Sequence, residues 1–253
     1  MALRGILFDL DGTLFAREAA FWSWLHEEEL QDGRRRESGT AALDWGRVAA
    51  LDRGGRGPKP ALLDYLALTL DWPERSLEAR LQRLRHGILR QARADQRLLD
   101  LLGRLRRCFR LGLVTNGSSQ TQRGKLHCMQ VEAFFDPVIV SEEVGHRKPE
   151  FAIFCLATRG WALAPAEVLF VGDDSIRDIG GAKGAGMQTL QVLAEPSEPG
   201  DANAAAARAH GFIHAREPPD DTPSIASVFE LESWLQQSSA GFRIRRVREE
   251  GSV

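Results

Sequence analysis

The sequence predicts an α/β protein: a doubly wound, mostly parallel sheet interrupted by an all-helical insertion. Apolar runs stop abruptly at polar residues in Gly5–Leu10, Arg110–Asn116, Pro137–Ser141 and Val168–Asp174. Helical patterns separate them, and strands alternating with helices argue for such a sheet. No strand pattern appears from Phe15 to about Arg93, so that stretch reads as a helical unit set into the α/β core. The expected division is 1–15 and 94–240 as core, 16–93 as the insertion, and 241–253 as a basic tail.

Gly5 to Leu10 is apolar on both faces and ends in acids and glycine, as a central parallel strand does. Asp9 and Asp11, two apart on an extended segment, point the same way, while Leu10 points into the core. That pairing suits one nucleophile and one proton donor. Gly12 lacks a Cβ and lets the backbone approach a ligand, with the Thr13 hydroxyl and amide nearby.

Glu18 to Leu30 then reads as an amphipathic helix whose Phe21, Trp22, Trp24 and Leu25 form an aromatic stripe, taken as core of the insertion. Gly33–Gly39 breaks it, Ala41 to Leu51 is a second helix, and Arg53–Pro60 is a glycine and proline loop. Ala61 to Leu70 is a third helix. Asp71-Trp-Pro-Glu places a capping residue and a proline before a fourth, from about Glu74 to Arg90. Further helices are expected from Gln96 through Leu105, around Ser119 to Met129, at Glu150 to Arg159 and at Ser227 to Leu235. Thr189 to Leu193 and Gly211 to His214 are strand-like, and Glu195 to Ala209 is a loose connection.

Among 253 residues, 43% are hydrophobic and 27% charged, ordinary for a soluble globular chain. A net charge of -2 gives no electrostatic reason to expect nucleic acid or membrane partners. The basic runs Arg34–Arg36, Arg104–Arg110 and Arg243–Arg248 read as helix faces or tails. No apolar stretch reaches the roughly 18 residues a bilayer span needs, and the first strand begins too early for a signal peptide. Cys108, Cys128 and Cys155 are not in metal-ligand spacing and fit thiols in a reducing cytoplasm.

In parallel sheets ligands bind outside the carboxyl ends of the strands. Four groups of residues belong there: Asp9 with Asp11; Thr115-Asn116-Gly117; Lys148; and Gly172-Asp173-Asp174 with Asp178, followed by the glycines of Gly180–Gly186. Taken separately, each has a plainer reading. Thr-Asn-Gly also makes a simple turn, Lys148 a solvated loop lysine, the glycines close helix packing, and Asp174 or Ser175 a helix cap.

Together, in order and type, they resemble the haloacid dehalogenase-like (HAD) hydrolase superfamily, most of whose members are magnesium-dependent phosphatases. The resemblance runs over roughly residues 4 to 193 and is most specific in Asp-Leu-Asp-Gly-Thr and Val-Gly-Asp-Asp. It implies a Rossmann-like core with a helical cap. Mg²⁺ would be held by Asp9, the main-chain carbonyl of Asp11 and Asp173, with Asp178 behind them and Asp174 able to substitute.

The chemistry of phosphate monoester hydrolysis fits these residues. Asp9 would attack phosphorus and form an aspartyl-phosphate. Asp11 would protonate the leaving alcohol and then take a proton from the attacking water. Thr115 and the Asn116 amide, at a helix start, would hold phosphate oxygens, with Gly12 beside them. Lys148 would offset repulsion between Asp9 and phosphate. The expected partner is a small phosphorylated metabolite, and the expected state a monomer or homodimer.

A phosphomutase on a sugar phosphate would use the same core. A 2-haloacid dehalogenase would not need the acid at Asp11, and a non-catalytic binding protein would need none of it. Arg17, where the chain leaves the core for the insertion, is a candidate contact for an anionic substrate tail, whereas His146 and Arg147 read as solvent-facing.

Overall fold

The computed structural model describes residues 2–33, 43–195, 218 and 221–238. These residues fall into two compact units, one holding 2–16, 93–195, 218 and 221–238, the other 17–33 and 43–92.

The first unit is built on a six-stranded sheet. Its strands are β1 (Gly5–Phe8), β2 (Arg110–Thr115), β3 (Val138–Val140), β4 (Val168–Gly172), β5 (Gln188–Val192) and β6 (Ser224–Ile225). They are ordered β3-β2-β1-β4-β5-β6, and every neighbouring pair is parallel. β1 is therefore central, fully buried, and it sits where the winding reverses: β2 and β3 extend to one side, β4 to β6 to the other. Open parallel sheets place their ligand crevice at such a point. Register fixes the level, since Phe8 pairs with both Leu113 and Val171, so the residues following β1, β2 and β4 emerge together.

Helices cover the faces of the sheet by apolar stripes. In Gln96–Arg106 the stripe is Leu98, Leu101, Leu102 and Leu105, at helical spacing, and Asp95 caps the start by accepting from the Arg97 N–H at 2.9 Å. On the other flank, Phe154, Trp161 and Phe170 belong to one buried cluster with Leu7 and Val114.

Among the described residues the second unit holds four helices, Arg17–Gly33, Trp45–Asp52, Lys59–Thr69 and Leu77–Gln91. Phe21, Trp24 and Leu25, three and four apart, face inward with Val48, Leu62, Leu63 and Leu66. Trp22 is buried too, its ring 5.9 Å from that of Trp45. The aromatic stripe is thus core. Arg17 is bound to Asp52 by two hydrogen bonds, one of 2.8 Å, and Lys59 reaches the same carboxylate at 3.1 Å. Burial would raise the Asp52 carboxyl, but Arg17 and Lys59 outweigh it and hold it well below the usual carboxylate range.

The fourth helix corrects the expectation of a start near Glu74 capped by Asp71. It begins at Leu77, where Ser76 accepts from the Ala79 N–H at 3.2 Å. Asp71 instead adopts a left-handed conformation (φ 44°) after the third helix, which turns Trp72 into the core and uses the next residues as connection. The closing helix runs from Leu231 to Ser238 after a 3₁₀ turn at Val228–Glu230. The short strand β6 was not expected. The strand expected at Gly211–His214, most of the connection after Glu195 and the basic tail lie outside the described residues.

Candidate active site

At the end of β1 the chain makes a tight turn. The Asp9 N–H donates to the Val171 carbonyl at 2.9 Å, and those of Leu14 and Phe15 return to the Leu10 carbonyl at 2.9 Å. Gly12, at φ 82°, occupies the left-handed position this turn requires, and its N–H donates to the Phe15 carbonyl at 2.7 Å.

Asp9 is buried beside Lys148, whose Nζ lies 2.6 Å from Asp9 Oδ1 and 2.7 Å from Asp178 Oδ1. Lys148 is only 3% exposed, so it is not a solvated loop lysine. Asn116, just past β2, fixes it. The Asn116 Oδ1 accepts from the Lys148 N–H at 2.9 Å and its Nδ2 donates to the Lys148 carbonyl at 3.0 Å. The side chain of Asn116 is thus a clamp on the lysine loop.

Asp178 lies on a single π-helical turn, Ser175–Gly180, following β4, an element often found at functional sites. Asp174 caps this turn, accepting from the N–H groups of Ile176 and Arg177 at 3.0 and 2.9 Å. Asp178 Oδ2 accepts from the N–H groups of Asp173 and Asp174, both at 3.1 Å. Gly172 permits this approach: a Cβ there would stand 2.5–2.6 Å from the Asp178 side chain. Behind Asp173, the Gln191 amide donates to its carbonyl at 3.0 Å.

Carboxylate oxygens of Asp9, Asp173 and Asp178 lie within 4.8 Å of one another, all three residues buried. The Lys148 ammonium and these buried carboxylates share one small volume, which bears on Asp9. Burial, opposed by Lys148 and reinforced by Asp178 and Asp11, pushes its carboxyl up to about 7. Burial would lower Lys148, but Asp178 and Asp9 hold its ammonium above its ordinary value. A buried cluster of three carboxylate oxygen donors fits a hard divalent cation such as Mg²⁺. Of the candidates, Asp178 is in this cluster, and Asp174 is engaged as a cap.

Asp11 is placed differently. Its carboxylate is held by Lys125 and Gln122, and Gln122 also reaches Thr115 Oγ1 at 2.5 Å. The sequence reading missed both residues. A signal was present: Gln122, Lys125, Leu126 and Met129 form one buried stripe of the helix Ser119–Met129, so two polar residues occupy core-facing positions where only satisfied polar groups are tolerated. His146 is exposed and faces Glu150 at 3.1 Å, and Arg147 is exposed. Cys108 and Cys128 are half-buried and Cys155 exposed, all as free thiols. No helix among the described residues is long and apolar enough to cross a membrane.

A buried carboxylate at the end of the central strand thus stands with a lysine and two further acids at the winding reversal. The model of the haloacid dehalogenase-like hydrolase family matches residues 3–186, and the chain belongs to that family. Among curated relatives, a glyceraldehyde 3-phosphate phosphatase of Methanopyrus kandleri is 42% identical over 84 residues, which is 33% of this chain and 36% of the relative. The human N-acylneuraminate-9-phosphatase is 29% identical over 136 residues, 54% of this chain and 49% of the relative. The matches thus span less than half the length of either relative. Among solved structures, the Bacillus subtilis HAD-hydrolase YfnB bound to magnesium superposes with a TM-score of 0.66 at 22% identity, covering 93% of this chain and 99% of that one. A HAD phosphatase from Thermococcus onnurineus gives 0.60 at 23% identity, covering 97% and 100%. At these identities the likeness establishes the fold.

Proposed function

We propose that this chain is a Mg²⁺-dependent phosphatase that hydrolyses a small phosphorylated metabolite through an aspartyl-phosphate on Asp9. The observation that carries the reading is Lys148 lodged between Asp9 and Asp178 inside a buried three-carboxylate cluster. The ammonium keeps the nucleophile oriented and offsets repulsion from an incoming dianion. An Oδ of Asp9 attacks phosphorus while the ester oxygen departs with a proton from Asp11. Water then attacks the aspartyl-phosphate, giving its proton to Asp11 and restoring Asp9. Thr115, at the end of β2, and the Asn116 N–H hold phosphate oxygens; the N–H groups of Gly117 and Ser119 are taken by Ser141 and Glu142. Asp9, the Asp11 carbonyl and Asp173 would hold Mg²⁺, with Asp178 behind them; the ion would supply charge neutralisation on the transferring oxygens. The two curated relatives are named as phosphatases of phosphorylated metabolites, which supports the substrate class. The four-helix unit is assigned the role of a cap that selects substrate.

The test is phosphate release from p-nitrophenyl phosphate and a panel of phosphorylated metabolites with Mg²⁺. Asp9→Asn and chelation are each expected to abolish turnover. Absence of release from every ester by the folded, Mg²⁺-supplied protein would overturn the proposal.

A further inference from the structure

Two buried polar side chains stand behind Asp11, and the scheme above gives them no task. Lys125 is 3% exposed and Gln122 2%. Nζ of Lys125 donates to Asp11 Oδ1 and Oδ2 at 2.6 and 2.8 Å and to Gln122 Oε1 at 2.9 Å. Nε2 of Gln122 lies 3.1 Å from Asp11 Oδ2, 2.5 Å from Thr115 Oγ1 and 3.4 Å from the Asn116 carbonyl. The Lys125 Nζ also stands over the Phe15 ring, 5.2 Å from its centre.

Burying an ammonium is costly, and for stability alone an apolar side chain of similar volume commonly serves as well or better. What the apolar side chain cannot do is fix a carboxylate. The Lys125–Gln122 pair grips both oxygens of Asp11 and, through one amide nitrogen, ties them to the hydroxyl of Thr115. Both side chains come from a single helix, whose start is pinned by the Ser119 N–H donating to Glu142 at 2.8 Å.

We infer that Lys125 and Gln122 are positioning residues that hold the Asp11 carboxylate and the Thr115 hydroxyl in one fixed relation. The helix Ser119–Met129 thereby sets the leaving-group side and the phosphate-holding side of the site together. This rests on the phosphatase reading, in which Asp11 serves the leaving group. Releasing Asp11 then penalises esters according to how much their leaving group needs it. An alkoxide must be protonated as it departs, whereas p-nitrophenolate leaves without a proton.

The experiment compares kcat/KM, which reports steps up to formation of the aspartyl-phosphate, for glycerol phosphate and p-nitrophenyl phosphate in the wild type, Lys125→Met and Gln122→Met. Lys125→Met is expected to lose about 10²-fold on the alkyl ester, within the range of a general acid's contribution, and less than about 5-fold on the aryl ester. Gln122→Met is expected to shift the ratio in the same direction by a smaller factor. If Lys125→Met loses its far-UV circular dichroism, Gln122→Met decides by the same ratio. Equal losses on both esters, or no loss, would overturn the inference and leave the phosphatase reading standing. Where glycerol phosphate is not turned over, the most active alkyl phosphate of the panel takes its place; a wild type that turns over no ester of the panel overturns that reading, and the inference with it.

Discussion

Asp9 and Asp178 show how a strand-end glycine shapes this site. Gly172 does not sit at a positive φ; it is required because Asp178 lies where a side chain would be. Gly172→Ala is therefore expected to push Asp178 away from Asp9 and Lys148 with the sheet intact. Mg²⁺ affinity should fall about 10- to 100-fold, the usual cost of disturbing groups that support a metal's ligands. Isothermal titration with Mg²⁺ checks this, and unchanged affinity would count against the role given to Asp178. The sequence made Asp9, Asp173 and Lys148 visible because each follows an apolar run at a strand end or lies beside a proline-marked loop. Lys125 and Gln122 share helical spacing with Leu126 and Met129, a faint signal, but spacing alone does not say that a polar pair turns toward the core; the packed helix does. Asn116 was read through its amide at a helix start, and its side chain turned out to clamp the lysine loop.

At the scale of elements, the helical unit depends on close packing between its first and last helices. Gly87 lies in the middle of Leu77–Gln91, where helix propensity alone favours alanine by about 1 kcal/mol. Packing reverses that preference, since a Cβ at Gly87 would fall 2.2 Å from the Trp24 indole. Gly87→Ala is expected to destabilise the protein by about 1–3 kcal/mol, the range for overpacking a core. Chemical denaturation measures it; a stabilised variant would mean Trp24 is not where it is placed here. The same interplay explains why the fourth helix started late. Local signals at Asp71-Trp-Pro-Glu favoured an early start, but burial of Trp72 took those residues for the turn. β6 escaped notice because two residues, Ser224 and Ile225, carry no periodicity.

For the whole molecule, the metal role proposed for the carboxylate cluster ties Mg²⁺ affinity to proton binding and stability. With its carboxyl raised to about 7, Asp9 contributes stability in the metal-free protein that is complete below the unfolded value of 3.8. That contribution is lost as pH rises through about 7. Mg²⁺ binding requires the ionised form, so affinity should climb with pH up to about 7 and then level. Because the ion binds only the folded state, its gain in Tm should be larger at pH 8 than at pH 5.5. Thermal unfolding with and without Mg²⁺ at both values checks this, and equal gains would contradict the cluster's assignment. The order of acids, hydroxyl and lysine along the chain, and their location at strand ends, were legible without coordinates, because strand periodicity and turn chemistry are local properties. Which of three neighbouring aspartates joins Asp9, and which helix face grips Asp11, was settled only by the parallel register and the packed helices. Those depend on contacts between residues more than a hundred positions apart, such as Lys125 with Asp11 and Lys148 with Asp9, and no local pattern encodes them.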